Sequence, residues 1–251
     1  MTNNCPKKKL LSILTILCVL ISQGCVSTEN VKKEVPLDPG AIWEQAGIGL
    51  GIAPVDANIY EITASGVLEE RPDWSRQSKT IIENVAKEKL QELFRVNTAL
   101  WPMLSASEQK VLDEHIALYD LLSASKDMSI LLSADWRERF DNQDMCLGTG
   151  LAFLARKTNI DVMMVFDGQQ GRSTSGRLAM MLLAAAAGVA IPTGQSHLEV
   201  AAIDLHTGNV LWQSEVASPA HSLTDRSGAS SMLNTVLKRF DELTDEIRAS
   251  D

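Results

Sequence analysis

The chain has 251 residues and a formal net charge of −9, with 32 acidic against 23 basic residues. Proteins that bind nucleic acid need basic surface to neutralise phosphate groups, so this charge balance argues against that class. It also argues against electrostatic binding to anionic lipid headgroups. The length is sufficient for one domain with a substantial hydrophobic core or for two small ones.

The first 25 residues have the layout of a secretory signal that ends in a cysteine. Lys7–Lys9 form a basic region, and an apolar run follows from Leu10 to Ile21. This run is too short to span a bilayer core of about 30 Å, which takes about 20 apolar residues. The sequence Ser22-Gln23-Gly24-Cys25 comes next.

The junction at Cys25 resembles the lipobox of bacterial lipoproteins. Gly24 suits the cleavage point, whereas Ser22 stands where that motif usually has leucine. The resemblance implies cleavage before Cys25, with diacylglycerol and an N-acyl chain on this residue and no other cofactor. Val26 after the cysteine, in place of aspartate, implies the periplasmic face of the outer membrane. A plain N-terminal membrane anchor and an ordinary cleaved signal are the alternatives.

Cleavage after residue 24 would leave 227 of the 251 residues and remove three lysines, which changes the formal charge from −9 to −12. We therefore divide the chain into a signal peptide (residues 1–24), an acylated cysteine with a flexible polar tether (25–42) and a single periplasmic domain (43–251). Cys146 would be the remaining thiol of the mature chain. Because its neighbours are apolar, we predict that it is a buried structural residue.

The first half of the predicted domain contains a strand and two helices. The segment 48–62 is rich in Ile, Val and Tyr and predicts a strand with a break at Pro54. An apolar stripe predicts a helix over 73–94. The capping-box spacing of Ser105 and Glu108 begins a second helix. The predicted buried face of that helix comprises Val111, Leu112, Ile116, Tyr119 and Leu122.

The second half of the domain is predicted to alternate helices with strands. In order, the predicted segments are a helix over 147–157, a buried strand over 161–167, a Gly/Ser loop over 168–176, an apolar stretch over 178–191, hairpin arms over 197–205 and 210–217, and a helix over 224–247. Trp212 lies on the second hairpin arm, where its ring is expected to pack between sheet and helix. The order of elements predicts an α/β (α+β) domain with a mixed β-sheet packed by helices.

Several phrases resemble a group of bacterial lipoproteins built like the TolB N-terminal domain and CsgG. The most specific is Ala202–Trp212 (AIDLHTGNVLW), which is similar to the D-x-x-T-G-x-x-x-W hairpin of those proteins. Asn58–Thr63 (NIYEIT), Asp73-Trp74 at the start of the first helix and Asn159–Asp161 before a strand are further phrases. The resemblance covers about residues 47–240. It implies a TolB-N/CsgG-like fold in the periplasm and supplies no catalytic residues.

Motifs for catalysis or cofactor binding are weak. Gly171–Leu178 (GRSTSGRL) has the glycine spacing of a phosphate loop, but Arg177 and Leu178 stand where that loop needs lysine and then serine or threonine. We therefore predict a flexible loop, with an anion site at Arg172 or Arg177 as the alternative. The histidines, including His197, lack paired metal-ligand spacing and are predicted to be solvated surface residues. With no G-x-S-x-G motif either, we expect no enzyme activity, metal or bound cofactor.

The apolar stretch 178–191 is the unusual physical feature of the predicted domain. As a helix, its 14 residues would span about 21 Å, which is too short to cross a bilayer alone. We favour a core helix or an apolar hairpin packed under the sheet. The alternative is a surface for a partner subunit or for the lipid layer. Its contact residues would be Leu178, Met181, Leu182, Ala186 and Val189.

These features predict an outer-membrane-anchored periplasmic lipoprotein. It would act as a non-catalytic binding or assembly module in envelope biogenesis or export, held to the membrane by lipid and associated with a protein partner or with further copies. The first alternative is an oligomeric component of a CsgG-like secretion channel. The second is a periplasmic hydrolase, which would need polar groups that converge in a deep pocket.

Overall fold

The computed structural model describes residues 30–31, 49–94, 101–128 and 145–250. Cys25, the predicted signal peptide and most of the predicted tether lie outside these residues. The strands are β1 (Asn30–Val31), β2 (Leu50–Ile52), β3 (Asp56–Ile62), β4 (Leu68–Glu70), β5 (Val162–Ser173), β6 (Ser196–Asp204) and β7 (Val210–Ser218). The helices are α1 (Pro72–Phe94), α2 (Ala106–Met128), a short 3-10 helix (Thr149–Leu151), α3 (Ala152–Thr158), α4 (Ser175–Ala186) and α5 (Arg226–Ser250).

The strands of the described residues form one mixed sheet with the order β1-β7-β6-β5-β3-β4. At its centre, β5 runs antiparallel to β6 and parallel to both β2 and β3. Since β2 pairs with the start of β5 and β3 with its later residues, β2 and β3 lie end to end along one side of β5. Pro54 lies between them and has no N–H to donate to the ladder, which confirms the predicted break. The arrangement also confirms the α/β class.

Helices cover both faces of the sheet, and the residues of β5 show how the two cores divide. Met164 and Phe166 join a core formed with α1 and α5. Met163 and Val165 join a second core formed with α2, the 3-10 helix and α3. Successive side chains of a strand point to opposite faces, and here both faces are covered. A strand in that position needs apolar residues throughout, which explains the continuous apolar run at the start of β5.

Trp212 lies in the core between the sheet and α5, as predicted. Its side chain is 1% exposed and belongs to the same cluster as Met232 of α5. The pairing of β6 with β7 shifts its register between Ala202 and Ile203, so that one residue of β7 is extra. Because of this bulge, the consecutive residues Leu211 and Trp212 both reach the core under α1 and α5.

The predicted capping box is present at the start of α2. The Ser105 hydroxyl accepts the Glu108 N–H at 3.4 Å, and the Glu108 carboxylate accepts the Ser105 N–H at 2.7 Å. Lys157 of α3 donates to the same carboxylate at 2.8 Å, and this hydrogen bond is the main reason that the pKa of Glu108 falls to about 2. The predicted apolar face of α2 is buried at Leu112 and Tyr119 and half-buried at Val111, Ile116 and Leu122.

β5 is longer than predicted, because residues 168–173 continue the strand instead of forming a Gly/Ser loop. Their backbone groups pair with β3 on one side and, as far as Gln170, with β6 on the other. Gly168 suits this position because a Cβ there would lie 3.1 Å from the side chains of both Ile82 and Leu223. The glycine therefore permits close packing of α1 on the sheet.

Two further predictions, both about the region before β5, are wrong. The third helix begins later than residue 147, with the 3-10 helix at Thr149 and α3 at Ala152. Cys146 is exposed rather than buried. It forms an isolated β-bridge with Asn209, and its thiol donates to the Thr207 carbonyl at 3.6 Å. These contacts hold Cys146 beside the β6–β7 turn, outside the helix that was expected to bury it.

β1 lies within the predicted tether and joins the edge of the sheet. It runs antiparallel to β7, with Asn30 opposite Ala217. Two residues of the predicted tether are therefore attached to the domain. Asn30 lies at the end of the sheet where β5 finishes at Ser173 and β6 begins at Ser196. We call this the α4 end, because α4 occupies the connection between those two strands.

Candidate functional site: an apolar helix and an acidic cleft

The start of α4 is fixed to the sheet by its N-cap. The Thr174 hydroxyl accepts the Arg177 N–H at 3.1 Å, the usual contact of a capping threonine. The Thr174 N–H donates to the Ile62 carbonyl at 3.0 Å, which ties the helix to the end of β3. The helix finishes at Ala186, followed two residues later by Gly188 with a φ of 78°. Glycine tolerates this left-handed conformation, which is typical of helix ends.

No residue of α4 is buried in the chain. Leu182 and Leu183, next to each other, are 75% and 69% exposed. The favoured core position for residues 178–191 is therefore wrong: α4 begins where β5 ends, and its residues are exposed or half-buried. Of the predicted contact residues, Leu178, Leu182, Ala186 and Val189 are exposed and Met181 is half-buried.

The β3–β4 hairpin extends this exposed region. A Cβ on Gly66 would lie 3.2 Å from the Arg177 guanidinium, and one on Gly176 would lie 3.6 Å from the Ala64 Cβ, so the hairpin adjoins the first turn of α4. The neighbouring hairpin residue Val67 is 56% exposed. We call the combined region the apolar surface. It comprises Val67, Leu68, Leu178, Met180, Leu182, Leu183 and Val189.

Each of the two arginines considered for an anion site near α4 contacts other groups of the protein. Arg177 donates to the Pro192 carbonyl at 3.2 Å. Arg172 lies over the Trp74 ring, 4.7 Å from its centroid, and donates to the Thr224 hydroxyl at 3.2 Å. The two guanidinium groups thus contact different parts of the protein. Among the described residues, no helix is long and apolar enough to cross a membrane.

An acidic cleft lies between α2 and the middle of the sheet, with a volume of about 620 Å³. Four carboxylates from four elements line it: Asp56 at the start of β3, Asp120 on α2, Asp167 on β5 and Glu199 on β6. The remaining lining residues are Pro54, Asn58, Ile116, Ser123, Ala124, Val165, Phe166, Gln169, Gln195 and His197.

Glu199 is held in place by three donors. Its Oε1 accepts the Tyr119 hydroxyl, the Ser123 hydroxyl at 2.9 Å and the Gln213 side-chain amide at 2.8 Å. Burial and the neighbouring carboxylate raise the pKa of Tyr119 well above its ordinary value, so this phenol stays a donor. The network therefore fixes the Glu199 carboxylate at the wall of the cleft.

The pKa values of the other three carboxylates are shifted in different directions. Burial raises the pKa of Asp167 to about 6, and the charges of Asp56 and Glu199 add to this effect. Burial also raises the pKa of Asp120. Asp56 is the exception: burial opposes its ionisation, but the hydrogen bond and charge of Lys79, 2.8 Å away, lower its pKa. The negative charge of the cleft therefore increases between about pH 5 and pH 7.

His197 lies in the cleft wall and is not the solvated surface residue that was predicted. Its Nε2 is 2.9 Å from the Glu215 carboxylate, and its side chain is 27% exposed. The hydrogen bond to Glu215 raises the pKa of His197 despite burial. The position follows from the strand: His197 is on β6, two residues before Glu199, and alternate residues of a strand share a face.

Converging carboxylates can bind cationic groups and can take part in proton transfer. Within the described ranges, no group of three or more His, Cys, Asp or Glu side chains is placed to hold a metal ion. The sequence did not reveal this cleft, because its carboxylates come from elements far apart in the chain. The one local signal is the interruption of apolar strands by Asp167 and Glu199. The expectation that the chain is not an enzyme stays a prediction.

Solved structures that are similar to this chain include the PelC dodecamer from Paraburkholderia phytofirmans and a dodecamer of a single-residue variant of that protein. Each shares 13% sequence identity with the chain and covers 84% of it. The alignments include 95% and 96% of the PelC chains, with TM-scores of 0.37 and 0.36. No protein-family model matches the sequence, and no curated protein is similar to it. Similarity at this level leaves the function open, and the TolB-N/CsgG resemblance stays a prediction.

Proposed function

We propose that this chain is a lipid-anchored module of the bacterial outer membrane that acts by binding and assembly, not by catalysis. The apolar surface formed by α4 and the β3–β4 hairpin is its interaction face. The observation that carries the proposal is the exposure of α4, in which no residue is buried against the described part of the chain. A contiguous exposed apolar patch of this kind is typical of a surface that contacts a protein partner or a membrane.

The lipid anchor is supported by the lipobox-like junction and is tested at Cys25. Cys25→Ser should abolish both lipid labelling and cleavage of the signal, because no other residue at the junction offers a thiol. Intact-mass measurement of the purified protein reports both events. A variant that is cleaved normally and still carries diacylglycerol would show that the anchor is elsewhere.

The interaction face is tested by photocrosslinking in intact envelopes. A photoreactive amino acid at position 182 should form adducts, because Leu182 is 75% exposed in the chain and is covered in the assembly that we propose. The matched control is position 121 on α2, where Leu121 is 64% exposed but lies outside the apolar surface. Adducts at neither position, or equally at both, would contradict the assignment of α4 as the interaction face.

A second binding function is favoured by the acidic cleft, which suits a cationic group. Four carboxylates face this cleft, and Lys79 is paired with Asp56. Calorimetric titration with spermidine should show binding that weakens with added salt and below pH 6, where Asp167 becomes protonated. The double variant Asp120→Asn with Asp167→Asn should bind less, whereas Glu114→Gln, at an exposed position of α2 outside the cleft, should bind normally. Equal binding by the unmodified chain, the double variant and the control variant would show that the cleft is not the site.

A further inference from the structure

We infer that the apolar surface rests on the lipid bilayer beside the acylated Cys25, so that the domain contacts the membrane with its α4 end. This inference rests on the proposed function, because it takes the anchor at Cys25 as given. It goes further in naming the bilayer as the surface that covers α4 and in fixing the orientation of the domain.

The first described residues place the anchor at the α4 end. Asn30 of β1 is paired with Ala217, the penultimate residue of β7. Ser218 at the end of β7 is paired with Ser196, the first residue of β6. Since α4 lies in the connection from β5 to β6, the chain that comes from Cys25 enters the sheet at the end that carries α4.

The distances along the chain and across the sheet bring Cys25 close to α4. Cys25 is five residues before Asn30, and five residues reach at most about 18 Å. In the strand order, β1 is separated from β5 by β7 and β6, a distance of about 14 Å at normal strand spacing. The distance between α4 and the point where the acyl chains of Cys25 enter the bilayer is therefore no greater than the width of the domain. Anchoring at Cys25 therefore places the bilayer, an apolar phase, next to this end of the sheet.

The length and composition of α4 suit a helix that lies along the membrane interface. Its 12 residues extend about 18 Å, well short of the roughly 30 Å of a bilayer core. Its sequence, SGRLAMMLLAAA, contains one charged residue, Arg177, and no carboxylate that would have to lose its water. On the hairpin, the exposed residues Val67 and Leu68 come before the first acidic residue of β4, Glu69.

Because Cys25 anchors the protein, a weak apolar contact of α4 with the bilayer is sufficient to orient the domain. The acidic chain gains nothing from anionic headgroups, so α4 binds through apolar burial alone. Once Cys25 is in the bilayer, insertion of α4 is an intramolecular step with a high effective concentration. The acyl chains therefore hold the protein at the membrane, and α4 determines which end faces it. The β6–β7 turn, at the opposite end of the sheet, then points away from the bilayer.

The test uses the mature acylated protein reconstituted into vesicles of phosphatidylethanolamine and phosphatidylglycerol. Cys146→Ser removes the remaining thiol, and Leu182→Cys carries an environment-sensitive fluorophore. The matched control carries the same fluorophore at Arg156→Cys, on an exposed position of α3 at the opposite end of the sheet. Lipids with a quencher on the acyl chain should quench the label at position 182 several-fold more than the label at position 156. A melting curve verifies that each labelled variant is folded.

Equal lipid quenching at positions 182 and 156 would overturn the bilayer contact. If the label at 182 is then protected from aqueous iodide, and this protection depends on protein concentration in detergent, a second copy covers α4. In that case the proposed interaction face stands and the membrane orientation is wrong. If iodide reaches the label at 182 freely in vesicles, nothing covers α4 and both proposals are wrong.

Discussion

The helices α4 and α5 both carry large apolar residues, but these residues are exposed on α4 and buried on α5. On α5, the apolar residues recur at helical spacing: Met232 and Val236 are buried, while Asn234 and Lys238 between and after them are exposed. On α4, apolar residues occur on every side, and even Leu182 is exposed. A sheet can cover only one stripe of a helix. The number of apolar residues in a helix therefore does not decide whether the helix joins the core, since the more apolar helix is the exposed one.

The largest expected effect is a buried charge on α5. Val236→Asp places a carboxylate at a fully buried position without a designed partner, which should cost more than about 4 kcal/mol and unfold or aggregate the purified domain. Circular dichroism and light scattering measure the result. Asn234→Asp, on the exposed side of the same helix, is the control. A native melting temperature for Val236→Asp would mean that α5 does not pack on the sheet.

The next effect is the loss of the large ring that α5 covers. Trp212→Ala should cost about 3–5 kcal/mol, because Trp212 is 1% exposed and the deletion leaves a cavity. Urea denaturation measures the change in the free energy of unfolding. Trp74→Ala should cost less, since Trp74 is half-buried and its ring contacts the guanidinium groups of Arg71 and Arg172, 3.8 Å and 4.7 Å from the centroid. Similar small losses for both variants would place Trp212 at the surface.

A smaller effect comes from the cleft and depends on pH. The pKa of Asp167 is raised from 3.8 to about 6, so the folded chain holds this proton more tightly than the unfolded chain. The stability linked to Asp167 is therefore greatest below about pH 4 and falls as the pH rises through 6, by up to about 3 kcal/mol. Asp167→Asn should remove this dependence and be the more stable protein at pH 7, as measured by urea denaturation at several pH values.

The control for that profile is Glu114→Gln, which removes an exposed carboxylate of α2 outside the cleft. His197 adds a change of the same sign at higher pH. The hydrogen bond to Glu215 raises the pKa of His197, so the stability that it contributes is complete below about pH 6.5 and is lost as the pH rises through the folded pKa. An Asp167→Asn profile identical to that of the unmodified chain would place Asp167 in solvent.

The smallest expected effect is on α4. Leu182→Asp should change the free energy of unfolding by less than about 0.5 kcal/mol, since the side chain is exposed and loses no core contacts. Thermal melting of the delipidated Leu182→Asp and Val236→Asp variants, measured together, compares the two helices directly. A loss of several kcal/mol at position 182 would restore the core position first predicted for this segment.

The parts of the fold that were predicted correctly depend on residues close together in sequence. The capping box at Ser105, the stripe of α1 and the hairpin around residues 206–209 all have local physical causes. Trp212 was placed correctly because the strand that carries it pairs with its immediate neighbour in the chain. The class of the fold followed from the order of these elements.

The parts that were missed depend on contacts between distant segments. Residues 168–173 have the composition of a loop and became strand because β3 and β6 flank them. Cys146 has apolar neighbours but is held outside the core by its bridge to Asn209. The cleft requires Asp56 and Glu199 to meet across the sheet, and no spacing along the chain encodes that meeting. Candidate sites built from several elements thus became visible only in the folded structure.

The central position of β5 has a consequence for the order of folding. Its partner β6 follows it in the chain after one short helix, and β7 follows β6 after a tight turn, so these three strands can associate through local contacts. On its other side, β5 pairs with β2 and β3, which are far away in sequence. For example, the Gly49 N–H donates to the Asp161 carboxylate, and these two residues are 112 positions apart. Closing so long a loop loses chain entropy before any contact compensates for it, which slows folding. We therefore expect the C-terminal strands to form a template on which the N-terminal strands assemble last. A chain that crosses a membrane N-terminus first would deliver β2 and β3 well before their template exists.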